Sequence, residues 1–187
     1  MTTSTKRSSD HRIAVVIAAI GTTLVTAYAG LAALQILVLN PLAAAPGKEL
    51  HQIRADMAAV GESLSAPMAL GVLSVGVGLA VVTCALIAVL REATPLAAAV
   101  AFLVLLMFGA PAHFMASFGA GMGLADTYGI SGADYSPWAR PLYLVSFVAL
   151  LGALTIGAID LVRHYRRSTR PITTRTTRTA DASAPGL

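Results

Sequence analysis

The sequence predicts an all-α fold: an integral membrane four-helix bundle, N-in and C-in, with a short amphipathic helix in the first outer loop. Three observations predict it. Four apolar stretches, at residues 13–39, 67–90, 95–118 and 141–162, each reach the roughly 20 residues a helix needs to cross a hydrocarbon layer of about 30 Å. His113 and Asp160 are the only Asp, Glu, Lys, Arg or His residues within them. Charged residues make up 12% of the chain, about half of what a soluble domain carries.

The third observation is where the basic residues fall. Lys6, Arg7 and Arg12 precede span one, Arg91 joins spans two and three, and Arg163, Arg166, Arg167, Arg170, Arg175 and Arg178 follow span four. Lys48, Arg54 and Arg140 alone fall on the other side. Cytoplasmic segments hold the excess of Lys and Arg, so both termini are expected in the cytoplasm of a cell-membrane protein. A basic start followed by Ala43-Ala44-Ala45 resembles a signal peptide. The first apolar run far exceeds a signal core of about 7–15 residues, so an uncleaved span is expected.

Residues 1–12 are polar and read as a disordered cytoplasmic segment, 13–163 as the transmembrane domain, and 164–187 as a disordered basic tail that sits on anionic lipid. Asn40-Pro41 reads as the end of span one. In the loop beyond it, Leu50, Ile53, Met57, Val60 and Leu64 recur at helical spacing, one apolar stripe with Glu49, Gln52, Arg54, Asp56 and Glu62 off it. The stripe serves either the bundle's own rim or a docking partner. Ser65 and Thr94 stand where helix caps are needed, each before a first-turn proline. The tight turn at Arg91 makes spans two and three antiparallel neighbours. Thr22/Thr26/Gly30, Gly71/Ser74/Gly78 and Ala149/Ala153/Gly157 read as small-residue seams for close helix packing.

Pro111 is expected to kink span three and free the carbonyl of Met107. Gly119, Gly121 and Gly123 then read as an exit from that span, leading into an outer loop with Asp126, Tyr128, Asp134, Tyr135 and Trp138. Tyr135, Trp138 and Tyr143 suit an interfacial aromatic belt.

Polar groups inside spans are the candidates for function: His113, Tyr28 and Gln35. No span offers a second histidine for haem. A metal set of His113, His51, Asp126 and Asp134 lacks ligand spacing, and the Gly/Asp-rich outer loop lacks the spacing of a calcium loop. Cys84 is the sole cysteine, which excludes thiol–disulfide chemistry within the chain. Quinone-coupled thiol oxidoreductases and claudin-like proteins need paired cysteines, which this chain lacks. Small multidrug exporters need an acidic residue in span one and intramembrane proteases a catalytic set, which these spans lack. No catalytic, cofactor or metal residues are therefore assigned, and no nucleic-acid partner. The expected function is a non-enzymatic accessory or scaffolding subunit of a bacterial envelope complex, bound to lipid and to other subunits or itself. A small-solute or ion transporter or channel is the alternative, and a membrane enzyme comes third. The Ala- and Arg-rich composition is the basis for expecting a bacterial source.

Overall fold

A computed structural model describes residues 2–168, which form helices joined by short connections and no strand. Span one comprises α1 (Thr2–Leu34), a π-helical turn (Gln35–Leu39) and α2 (Asn40–Ala44). The amphipathic helix α3 (Leu50–Ala59) follows, then α4 (Ala66–Val89) as span two. Span three is α5 (Pro95–Met107) plus α6 (Gly109–Tyr128), and span four is α7 (Ala139–Ser168). Four helical segments are long and apolar enough to cross a membrane.

Spans one, three and four run further as helix than their apolar cores. Residues 2–12 continue α1 instead of being disordered, because no Gly or Pro interrupts them and helix propagates from a formed span. Helix α6 carries through Gly119–Gly123 to Tyr128, so those glycines are packed helical positions and not an exit. Residues 164–168 extend α7. The rest of the expected lipid-binding tail lies outside the described residues.

Spans one and three form the central pair, with α4 against α1 and α6 on one side and α7 against α5 and α6 on the other. Large side chains such as Leu79, Leu86, Leu144, Phe147 and Leu154 point outward. Small ones, among them Ala14, Ala18, Ala80, Ala98, Ala116 and Ala120, are buried. A bilayer exerts no hydrophobic drive between helices, so close approach of small residues does the packing. The seams are only partly where the sequence pattern puts them: Ala149 is buried and Ala153 half-buried, but the seam glycines are not packed. A Cβ built on Gly30, Gly71, Gly78 or Gly157 would meet nothing within 4 Å, so these residues face outward. Thr22 partly fits the expectation, half-buried with its hydroxyl 3.4 Å from Ala80 O of span two. Thr94 caps α5 by accepting from Ala97 N–H at 3.2 Å, whereas Ser65, at φ 47°, makes no side-chain cap.

Helix α3 starts with a reciprocal cap between Glu49 and Gln52. Its stripe turns onto the chain itself. Ile53 and Met57 are fully buried, Leu64 nearly so and Leu50 half-buried, while Val60 is 58% exposed. The docking surface expected of these five residues is therefore covered by the bundle's own rim. The fit is close: a Cβ on Gly123 would stand 2.9 Å from Met57 Cε and 3.0 Å from Ser63 O.

Asp56 ties α3 down further, accepting from Lys48 Nζ and from Tyr128 O–H at 2.9 Å, while Lys48 sits 4.9 Å above the Tyr128 ring. The Lys48 hydrogen bond, then that of Tyr128, holds the Asp56 carboxyl below its ordinary range. The bond to Asp56 raises Lys48. A depressed acid contributes stability that is complete above the ordinary Asp range, near pH 4, and is lost as pH falls through the lower folded value. A raised amine contributes below the ordinary Lys range and loses its share as pH rises through the higher folded value. Amide exchange in residues 50–59 is thus expected to be flat between about pH 5 and pH 9, after correction for intrinsic rates, and to quicken below about pH 4. Asp56→Asn should abolish the acid-side change.

Candidate polar site between spans one, three and four

Pro41 starts the site. It has no N–H to give Leu37 O, and its ring crowds that carbonyl. The backbone widens instead, and Asn40 N–H bonds back five residues to Gln35 O. This π turn adds a residue without ending the helix, a device frequent at functional sites. It brings both Gln35 and Asn40 inward, at 0% and 6% exposure. The sequence expectation that Asn40-Pro41 ends the span is corrected: the helix passes through to Ala44.

Pro111 shapes the facing wall. Helix α5 stops at Met107, Phe108 takes a turn conformation (φ −74°, ψ −2°), and α6 restarts at Gly109. One face of α6 then buries Gly109, His113, Ala116 and Ala120. Gly109 is a close-approach position: a Cβ there would lie 2.7 Å from Tyr28 Cζ and 3.0 Å from Ser146 Oγ.

These groups converge on Asp134, whose side chain is 25% exposed in the connection between α6 and α7. Gln35 Nε2 donates to Asp134 Oδ1 at 3.5 Å, a long bond. Tyr143 O–H donates to Oδ2 at 2.8 Å. His113 Nε2 lies 3.9 Å from Oδ1, and its ring meets that of Tyr143 edge-on at 5.6 Å. Asn40 Oδ1 holds the loop by accepting from Tyr135 N–H at 2.7 Å and Ser136 N–H at 3.3 Å. Deeper in the bundle, Ser146 Oγ donates to Tyr28 O–H at 3.4 Å.

His113 is completely buried, yet among the described residues neither ring nitrogen has a hydrogen-bond partner, and Gln35 Oε1 has none. A buried polar atom left unpaired costs about 1–3 kcal/mol, and buried polar groups are paired in the large majority of cases. Three such atoms near one carboxylate are a concentrated expense of stability at one place.

Of the sequence candidates, the structure joins Gln35 and His113 through Asp134 and puts Tyr28 on the next layer down. It does not join His51 or Asp126 to them: His51 is exposed beside Glu49 at 3.1 Å, and Asp126 is exposed. Among the described residues no three His, Cys, Asp or Glu side chains gather. Sequence reasoning passed over Asn40 and Ser146 and read Tyr143 as an interfacial aromatic. The available signal was Gln35 five residues before Asn40-Pro41, the spacing of a π turn. Family models, curated proteins and solved structures contain no match to this chain.

Proposed function

We propose that this chain is a non-enzymatic cell-membrane protein, N-in and C-in, that takes up a small solute or ion at its outer end as a transporter does. The observation that carries the reading is the convergence on Asp134 of two fully buried side chains, His113, whose ring nitrogens have no hydrogen-bond partner among the described residues, and Gln35, whose Oε1 has none. Polar groups at membrane depth face substrate and ion pathways by default. Below Tyr28 and Ser146 the core passes to Ala14, Ala18, Val25, Ala80, Ile87, Ala98 and Phe102. That apolar packing favours a closed carrier over an open channel. Burial of Ile53, Met57 and Leu64 in the chain's own rim takes most of the α3 stripe away from an accessory-subunit reading.

The test is flux. Proteoliposomes loaded with a pH-sensitive or a metal-sensitive dye are challenged with protons, alkali cations and divalent cations. Wild-type protein is expected to carry one of them, with His113→Ala reducing its flux at least tenfold. Flux that survives His113→Ala unchanged removes His113 from the path, and no flux of any probe removes the reading.

A subunit role stays open as a second reading on one observation. Gly30, Gly71 and Gly78 present open small-residue surface in the spans, where a further helix can approach closely. Native purification in mild detergent that returned only this chain, as a monomer, would count against it.

A further inference from the structure

We propose that Asp134 Oδ1, His113 Nε2 and Gln35 Oε1 form a site for one divalent transition-metal cation of the zinc class. The inference rests on reading this cluster as the place where the protein takes up its solute, and it names the chemistry of that solute.

Distances carry the argument. His113 Nε2 and the Gln35 amide nitrogen lie 3.9 and 3.5 Å from the same carboxylate oxygen. Around a tetrahedral ion with bonds of about 2.1 Å, neighbouring donors stand about 3.4 Å apart. Side-chain rotation is enough to close differences of this size. Turning the Gln35 amide over exchanges its long bond to Asp134 for an oxygen that has no other partner. The His113 Nε2 position is likewise uncommitted, and a neutral imidazole offers its lone pair there.

The surroundings suit a ligand set. Tyr143 occupies Oδ2 at 2.8 Å, which aims Oδ1 at the imidazole and the amide. Such outer partners orient metal-binding carboxylates. Asn40 fixes the backbone immediately after Asp134 through Tyr135 and Ser136. His113 and Gln35 are both fully covered, and their polar atoms stand within a few ångströms of one oxygen. That spacing fits a single ion. The partly exposed Asp134 provides the approach from the α3 end.

Donor type selects the ion. Calcium takes six to eight oxygens and magnesium near-ideal octahedral oxygen ligation. An imidazole nitrogen beside one carboxylate and one amide oxygen suits zinc, cobalt or nickel. Three protein donors leave a fourth position for water, the arrangement of an open, exchangeable site rather than a closed structural one.

The experiment uses tag-free full-length protein in mild detergent, stripped with chelator and titrated with Co²⁺ and Zn²⁺. One Co²⁺ per chain is expected, with the intense visible absorption of four-coordinate cobalt, bleached by stoichiometric Zn²⁺. Asp134→Asn and His113→Ala should lose it, and Tyr143→Phe should weaken binding about 10- to 100-fold. Gln35→Glu should bind more tightly than wild type, a gain that misfolding cannot imitate. Wild-type protein that is folded but gives no cobalt spectrum overturns the assignment. So does binding that survives both Asp134→Asn and His113→Ala, or a Gln35→Glu variant that binds no better. His113-dependent flux of another probe without cobalt binding overturns the metal alone. Cobalt binding without flux of any probe overturns the carrier reading alone.

Discussion

Met57→Ala is expected to lower the free energy of unfolding by about 2–5 kcal/mol, the cost of emptying a buried Met site in a packed core. Met57 is fully buried and its methyl stands against Gly123, where the helix backbone cannot follow the lost side chain inward. The cavity should therefore persist. Helix α3 would loosen with it, carrying away the Lys48–Asp56–Tyr128 contacts that lie on the same helix end. Val60→Ala, on the same stripe but 58% exposed, should shift stability by less than about 0.5 kcal/mol. Thermal unfolding in detergent and amide exchange over residues 50–59 read both. Equal effects at the two positions would mean that α3 does not dock as described.

Asn40→Leu should be nearly as damaging, by another route. The side chain keeps its bulk, but Tyr135 and Ser136 lose the oxygen that accepts both of their N–H groups. Each orphaned donor costs about 1–3 kcal/mol where it is shielded from water, so a local loss of about 2–4 kcal/mol is expected. Amide exchange at residues 135 and 136 should quicken by about 30- to 1,000-fold, as that free energy implies. Asn40→Asp retains the acceptor and should leave most of the protection in place. Protection unchanged in Asn40→Leu would show that the loop is held by other contacts.

The four span-length apolar helices were legible because they depend on sums: apolar length and the absence of charge survive any error in a single residue. Thr94 and the break before Pro111 were legible for a different reason, since both follow from local backbone chemistry. The seam glycines were not. Gly71 and Gly78 look like packing positions in one dimension, yet which face of an apolar helix turns inward is decided by its neighbours, and span two is apolar all round. The α3 stripe was readable as a stripe, but periodicity does not say whether its counterpart is another protein or the same chain. Asp134 was named beside His113, but only in a set with His51 and Asp126, because no spacing in the sequence picks out which loop carboxylate reaches which span. It lies 99 residues from Gln35, and only the fold brings a loop carboxylate over two span residues.

The π turn at Gln35–Leu39 has a consequence for how span one is built. One extra residue in a helix rotates everything beyond it by about 100°. The part carrying Ala14, Ala18 and Val25 is phased by its contacts with spans two and three. The part carrying Asn40 is phased independently, by the loop it anchors. Span one thus behaves as two rods with separate azimuths joined at a fixed offset. Packing substitutions in the lower rod leave the aim of the upper one intact, so the deep core can drift in sequence without disturbing the groups around Asp134.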